Sequence, residues 1–183
     1  MQAGSRATIV HAWYFREGDA ITVPVAGVCA VDVKPGIDPD FDPNWIFLGD
    51  AEDYEPSVAQ EEEKVWKGKP GHLVKKDHLE NKLERTLKVT TNDLNNIAME
   101  LFNRTIQKLG GATLAYQSLS SLSKKGWVHL QEYDQDDHLI NAEDVWARVR
   151  CASRKGPQGK VVKPEFEILQ LDSDLNTGLI EAD

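Results

Sequence analysis

The sequence predicts a mostly β fold with one internal α-helix, arranged as a β-sandwich or barrel with a long extended loop. Three observations support this prediction. Many short segments are typical of β-strands, one segment has helical periodicity, and one long charged segment is too polar to form core. The chain has 183 residues, which is typical of one domain, and 40% of them are hydrophobic, which is close to the globular average. We therefore expect a single domain over residues 1–183.

The first strands are indicated by β-branched and apolar residues. Residues 20–33 are rich in valine but include a proline and a glycine, which favours an edge strand or a bulge. Turn-forming residues fill 34–44, and the apolar run 45–49 predicts a short buried strand. Residues 50–78 change from acidic to basic and are too numerous for an ordinary turn. This segment is expected to be an extended loop or a hairpin.

A strand followed by a helix is predicted next. Apolar and polar residues alternate over 79–91, as in a half-buried strand. Thr90 and Asp93 have the spacing of a capping box, so a helix is expected over 92–104. Its apolar stripe consists of Leu94, Ile97, Ala98, Leu101 and Phe102.

Further strands are predicted at 112–120, 126–133, 144–152 and 160–171. The 144–152 strand alternates most clearly. One of its faces carries Val145, Ala147, Val149 and Cys151, and the other carries Trp146, Arg148 and Arg150. The polar and acidic residues 172–183 are expected to form a flexible tail.

Charge is sorted along the chain, whose net charge is −9. Residues 1–63 carry three basic and 13 acidic side chains, whereas 64–91 carry eight basic and three acidic ones. Such sorting produces either a molecular dipole that orders head-to-tail stacking or merely solvated loops of opposite sign. The acidic balance disfavours a general binder of nucleic-acid phosphates.

Motifs that carry catalytic chemistry are absent from the sequence. It contains no GxSxG, GxxxxGK[ST], HExxH or GxGxxG pattern. The serines at 118, 120, 121 and 123 lack a positioned base, and His129 lacks the HxH pairing of cupin-like metal sites. We therefore predict no enzyme activity, no catalytic residue and no cofactor.

Two patterns have a weak metal or nucleic-acid signature. Asp38, Asp40, Asp42 and Asn44 alternate as in a calcium loop, but a proline stands where an EF-hand needs glycine, which favours a turn and no metal site. The basic stretch around Gly68–Gly71 resembles the GxxG loop of KH domains, but Pro70 and the lack of helical periodicity argue against that fold. A solvated or partner-contacting loop is expected instead.

Cysteine usage and hydropathy point to a protein without export signals. Cys29 and Cys151 form no CxxC pair and are expected to be small buried hydrophobic residues rather than a disulfide. No apolar stretch approaches 18 residues, and residues 1–10 lack a signal-peptide pattern, so we expect a soluble chain not secreted by that route.

The segment Trp45–Asp50, the acidic-to-basic segment after it, the strand 83–90 and the helix 92–104 together resemble the major tail tube proteins of long-tailed bacteriophages. That family has a W-x-x-L-G-like strand, a long loop, and a strand running directly into one internal helix. The resemblance is clearest over residues 40–120 and follows only the strand order downstream.

The resemblance implies a structural virion protein whose hexameric rings stack into a tail tube, through which DNA passes without specific binding. It further implies other tail proteins as partners at the tube ends, no membrane, and location in the virion tail, with assembly in the host cytoplasm. A subunit interface is hypothesised to consist of Glu61, Glu62, Glu63, Lys64, Trp66, Lys67 and Lys69, and its charged members are expected to meet complementary charges on neighbouring subunits. The alternative is a non-catalytic β-sandwich module that binds carbohydrate or a protein partner.

Overall fold

The computed structural model describes residues 9–23, 25–36, 42–69, 72–92, 96–103, 105–108, 115–118, 124–155 and 163–180. The elements in chain order are β1 (Ile9–Arg16), β2 (Ala20–Ile21), β3 (Gly27–Val28), β4 (Ile46–Lys69), β5 (His72–Thr91), α1 (Asn96–Asn103), β6 (Thr105–Lys108), β7 (Ala115–Ser118), β8 (Lys125–Tyr133), β9 (Leu139–Lys155), β10 (Lys163–Gln170) and β11 (Thr177–Ile180).

Six of these strands form a closed antiparallel barrel in the order β10–β5–β4–β1–β8–β9, and β10 closes the ring by also pairing with β9. β11 extends the sheet by pairing with β9, whereas β2–β3 and β6–β7 form separate two-stranded sheets. The predicted mostly β fold is confirmed, and the described strands form the barrel, one of the two predicted architectures.

Alternation along the strands fills the barrel. In β1, Val10, Ala12 and Tyr14 are buried, while His11 and Trp13 lie on the opposite face and remain partly exposed. All six barrel strands contribute to one interior cluster, which contains Ala12, Tyr14, Leu48, Leu87, Val89, Val128, Leu130, Val145, Ala147, Val149, Cys151, Phe166 and Ile168. The predicted inward set of the 144–152 strand is therefore confirmed.

A glycine permits the close approach of β4 to β5 beside a bulge in the β1–β4 pairing. Gly49 has a φ of +125°, which side-chain-bearing residues rarely adopt. A β-bulge between Ala12 and Trp13 shifts the β1–β4 register at this point. A Cβ atom at Gly49 would lie 2.9 Å from the Thr91 Cβ atom, so space as well as conformation requires glycine.

A second apolar cluster lies outside the barrel wall and consists of Phe15, Ile21, Cys29, Trp45, Trp127 and Trp146. The members of this cluster that lie in barrel strands are on the outward face of the sheet. The segment that contains β2 and β3 covers them. Among the described residues of 20–33, for which the sequence predicts one irregular strand, two two-residue strands form. They pair with each other outside the barrel sheet, and this segment covers the tryptophan rings.

Helix α1, described over Asn96–Asn103, lies within the predicted helix over 92–104 and packs against the barrel core through Ile97, Ala98 and Leu101. Its Glu100 is 2% exposed and forms ion pairs with Arg16 and Lys124. These two cations lie in β1 and just before β8, so the buried carboxylate attaches the helix to the barrel. Asp93, Leu94 and the Phe102 side chain lie outside the described residues.

The chain end differs from the flexible tail expected over 172–183. Thr177–Ile180 forms β11, which pairs with Asn141–Asp144 of β9. The Asn176 side chain accepts a hydrogen bond from Trp146 N at 2.7 Å and donates one to Leu171 O at 3.0 Å. These polar contacts hold the start of the segment on the barrel.

Other expectations fall on residues that are only partly described. Of the predicted strand 112–120, residues 115–118 form β7, and the serines at 120, 121 and 123 lie outside the described residues.

None of the described helices is long and apolar enough to cross a membrane.

We expect Leu101→Ala to lower the free energy of unfolding by about 2–5 kcal/mol, because Leu101 is 2% exposed and truncation leaves a cavity between α1 and the barrel. Urea unfolding measures this change. Val58→Ala is the control, since Val58 is 61% exposed and its truncation should change stability by less than about 0.5 kcal/mol. Equal effects of the two variants would show that α1 does not complete the core.

Candidate functional site: a two-stranded ribbon

The most distinctive surface feature is the hairpin formed by β4 and β5, which extends beyond the barrel. β4 pairs with β1 only as far as Ala51, and β5 pairs with β10 only over Thr86–Thr90. Toward the tip, residues 58–69 and 72–85 pair only with each other among the described strands, and we call this part the ribbon. Twelve residues of extended strand span about 40 Å.

The β4 side of the hairpin is exposed on both faces where it leaves the barrel. Residues 55–59 are all exposed, although successive residues of a strand point to opposite faces. Val58, which is 61% exposed, therefore has no core to face. Pro56 is tolerated here because its missing N–H group lies beyond the last β1 pair.

Charge varies along the hairpin from base to tip. The base half, residues 50–63 and 79–91, has nine carboxylates and three cations, a net charge of −6. The tip half, residues 64–78, has five lysines and one carboxylate, a net charge of +4. The charge sorting of the sequence is thus converted by strand pairing into a charge separation along the axis of the hairpin.

All seven sequence-predicted interface residues lie in β4 within the ribbon, and their side chains lie outside the described part of the chain. Their backbone register is defined. Glu61 lies opposite Lys82, Glu62 lies opposite Glu80, and bulges occur at Glu61/Glu62 and Val65/Trp66. The structure therefore places all seven residues on one element.

Polar contacts attach the base of the hairpin to the barrel. Arg85 donates hydrogen bonds to Glu143 Oε2 at 2.7 Å and to Gln170 Oε1 at 3.2 Å, and Lys163 pairs with Glu52. Tyr54 lies nearby, and its pKa is raised by burial and by neighbouring carboxylates. The last barrel pairs are thus reinforced by charged groups immediately before the ribbon begins.

The calcium-like pattern forms a turn at the residues that are described. Asp42 is 1% exposed, and its carboxylate accepts hydrogen bonds from Thr22 N at 2.8 Å and Asn44 N at 3.1 Å. Burial alone would raise the pKa of Asp42, but these backbone hydrogen bonds outweigh burial and lower it. Asp38 and Asp40 lie outside the described residues.

One group of side chains has the donor set of a cation site. Asp134, Asp136 and His138 place possible ligand atoms within 4.8 Å of one another in the turn between β8 and β9. Asp134 Oδ1 also accepts hydrogen bonds from Asp136 N at 2.8 Å and His138 N at 3.0 Å, which lower the pKa of Asp134. The same geometry is that of an Asx turn, which accounts for the clustering without a metal.

Sequence reasoning missed a buried charged network outside the barrel wall. His129 Nδ1 lies 2.7 Å from Asp144 Oδ1, and Lys34 Nζ donates to Asp144 Oδ2 at 3.1 Å. The Thr177 hydroxyl donates to the same oxygen at 3.1 Å. Burial alone would raise the pKa of Asp144, but the hydrogen bonds and charges of His129 and Lys34 outweigh it and lower that pKa.

This network joins the cover segment, two barrel strands and β11 at one carboxylate. His129 is 1% exposed, and its Nε2 atom has no hydrogen-bond partner among the described residues. His129 is therefore a buried residue bonded through one nitrogen. The alternation of β8 places His129 on the outward face, but the contact of Asp144 with Lys34 could not be inferred from sequence spacing.

Both cysteines are buried and free, as expected from the sequence. Burial raises the pKa of the Cys29 thiol to about 12, which keeps it protonated at neutral pH.

Comparisons with known proteins give no assignment. No protein-family model matches the sequence, and a search of curated proteins finds no significant match.

We expect Asp144→Asn to lower the free energy of unfolding at pH 7 by about 2 kcal/mol, since it removes the charge that Lys34 and His129 bind. The folded-state pKa is lowered, so this contribution is present above the unfolded value of about 3.9 and is lost as the pH falls through the folded value. Denaturant unfolding from pH 7 to pH 3 should show the variant and wild type converging at the acidic end. The exposed Asp174→Asn is the control. A constant difference across this range would contradict an ionised Asp144.

Proposed function

We propose that this protein is a structural virion protein, whose hexameric rings stack into a phage tail tube through which DNA passes. The observation that carries the proposal is the ribbon, in which two strands continue beyond the barrel with unpaired outer edges in the described part of the chain. Because isolated two-stranded hairpins are marginal in water, such a ribbon needs additional contacts. A neighbouring subunit is the partner that the proposal supplies.

The charge separation along the hairpin supports head-to-tail association. A tip of net charge +4 and a base of net charge −6 are complementary between copies that follow one another along an axis. An exposed ion pair contributes at most about 1 kcal/mol, so one contact alone is weak. Ring symmetry repeats the contact six times in a hexamer, which makes the sum significant.

The order of β5 and α1 along the chain supports the same proposal. β5 ends at Thr91 and α1 begins at Asn96, which fits the family pattern of a strand running directly into one internal helix. In this proposal, α1 is that helix and the barrel with its cover forms a tail-tube domain of the sandwich or barrel type. The partners are then further copies of the chain and other tail proteins at the tube ends, with DNA passing an acidic lumen without specific binding.

Assembly is the first test. Purified protein should form rings or tubes as its concentration rises, and electron microscopy with light scattering should detect particles several times the 20.5 kDa chain mass. A binding or adaptor module would remain a small particle. Monomers at every concentration and salt, with no tubes from virions or from co-expression with tail proteins, would contradict the proposal.

The triple variant Lys64→Glu, Lys67→Glu and Lys69→Glu should abolish assembly and leave thermal unfolding almost unchanged, because these residues lie in the ribbon, away from the core. Wild-type assembly should also weaken as salt rises through the screening range. Replacing the same three lysines by arginine keeps the charge and should preserve assembly. Normal assembly of the glutamate variant at low salt would remove these lysines from the interface.

A further inference from the structure

A second surface lies on the outward face of β1, β4 and β8, where aromatic rings cluster. We define the aromatic patch as His11, Trp13, Phe47 and Tyr133. The ring centroids of Trp13 and Phe47 are 5.2 Å apart, those of His11 and Trp13 are 5.7 Å apart, and those of His11 and Tyr133 are 5.4 Å apart. Four rings from three adjacent strands thus form one continuous surface.

The patch continues the second apolar cluster beyond its cover. Trp13 packs against that cluster, and its ring lies 5.7 Å from the buried His129 ring. At the other end of the row, Phe47 is 38% exposed and Ile9 is 36% exposed. The same row of outward positions is therefore covered at one end and open at the other. Exposed aromatic surface next to a packed cluster is typical of a protein contact surface.

The rim of the patch is acidic. The Asp50 side chain is 59% exposed, and its Oδ1 atom lies 2.6 Å from His11 Nδ1. Beyond Asp50, β4 carries Glu52, which pairs with Lys163, and then Asp53 and Glu55, and its first basic residue is Lys64. Carboxylates and the faces of aromatic rings both attract cations. The chemistry of this surface is therefore suited to a cationic partner with some apolar character.

We infer that the aromatic patch binds the tip half of the hairpin, residues 64–78, of a second copy of this chain. That tip combines five lysines with Val65, Trp66, Leu73 and Val74, so it matches both the acidic rim and the aromatic rings. The ribbon spans about 40 Å from its base, which directs its tip toward another molecule rather than the wall at its own base. The inference rests on the proposed tube function and names the surface that receives the hairpin.

Phe47→Lys is the most direct variant, because it replaces an exposed ring of the patch with a positive charge that repels the lysines of the incoming tip. We expect it to melt as the wild type does and to lose ring and tube assembly at concentrations where the wild type assembles. Phe47→Tyr keeps the ring and should assemble. Val28→Lys adds the same charge at a position that is 58% exposed and outside the patch, and it should also assemble.

Cross-linking tests the contact without disturbing the patch. A photo-reactive phenylalanine analogue at position 66 retains an aromatic ring, and mixed labelled and unlabelled chains distinguish cross-links between copies from those within one copy. Mass spectrometry should map the intermolecular cross-links to peptides from 9–16, 45–50 and 126–134 in assembled protein, and high salt should remove them.

The outcomes separate this inference from the proposed function. If the wild type assembles, Phe47→Lys assembles equally well and the cross-links map to other surfaces, the inference is wrong and the tube function stands. A wild type that never assembles overturns both. If Phe47→Lys fails to fold, the cross-link map alone decides, since it uses an intact patch.

Discussion

The architecture depends on β10, which pairs with β9 along one edge and with β5 along the other. These two ladders close the barrel. Its interior is therefore lined by alternate residues of six strands, including Phe166 and Ile168 of β10 itself. The residues between them face outward, where the tryptophans require a separate cover. Closure also determines where the ribbon begins. The last β10–β5 pair joins Leu169 to Thr86, and β5 beyond that pair has only β4 to bind in the described part of the chain.

The sequence predicts those parts of the fold in which one side of an element is buried. The alternation of β9 and the apolar stripe of α1 are visible because Val145, Val149 and Leu101 face the same core. The β4 arm of the hairpin lacks such a signal where it leaves the barrel, since residues 55–59 are exposed on both faces, and this arm is placed by its pairing with β5. β11 is missed because the described contacts at its start are polar ones, made by Asn176 with Trp146 and by Lys34 with Thr177.

Buried charges attach the elements outside the barrel strands to the barrel. Glu100 binds Arg16 and Lys124, and Asp144 binds Lys34 and His129. Removing one partner of a buried pair is costly because it leaves the other charge without compensation. These contacts join residues up to 110 positions apart, which is why the chain's sequence pattern contains no sign of them. The candidate site was predictable as a charged segment, whereas the network that holds its surroundings was not.

The direction of the charge separation is the final link between fold and proposed assembly. Each ordered residue costs about 1–2 kcal/mol of backbone entropy, and a ribbon that is exposed on both faces at its base recovers little of this cost from apolar burial. Strand pairing places Glu55 of the base half opposite Lys88, while five lysines of the hairpin lie in the tip half. The acidic and basic halves meet at Glu63 and Lys64, but the lysines nearest the tip lie farther from the carboxylates nearest the barrel than the screening length of about 10 Å, so these groups interact little within one hairpin. In the proposed assembly a second copy brings such groups together, which links the order of the ribbon to association.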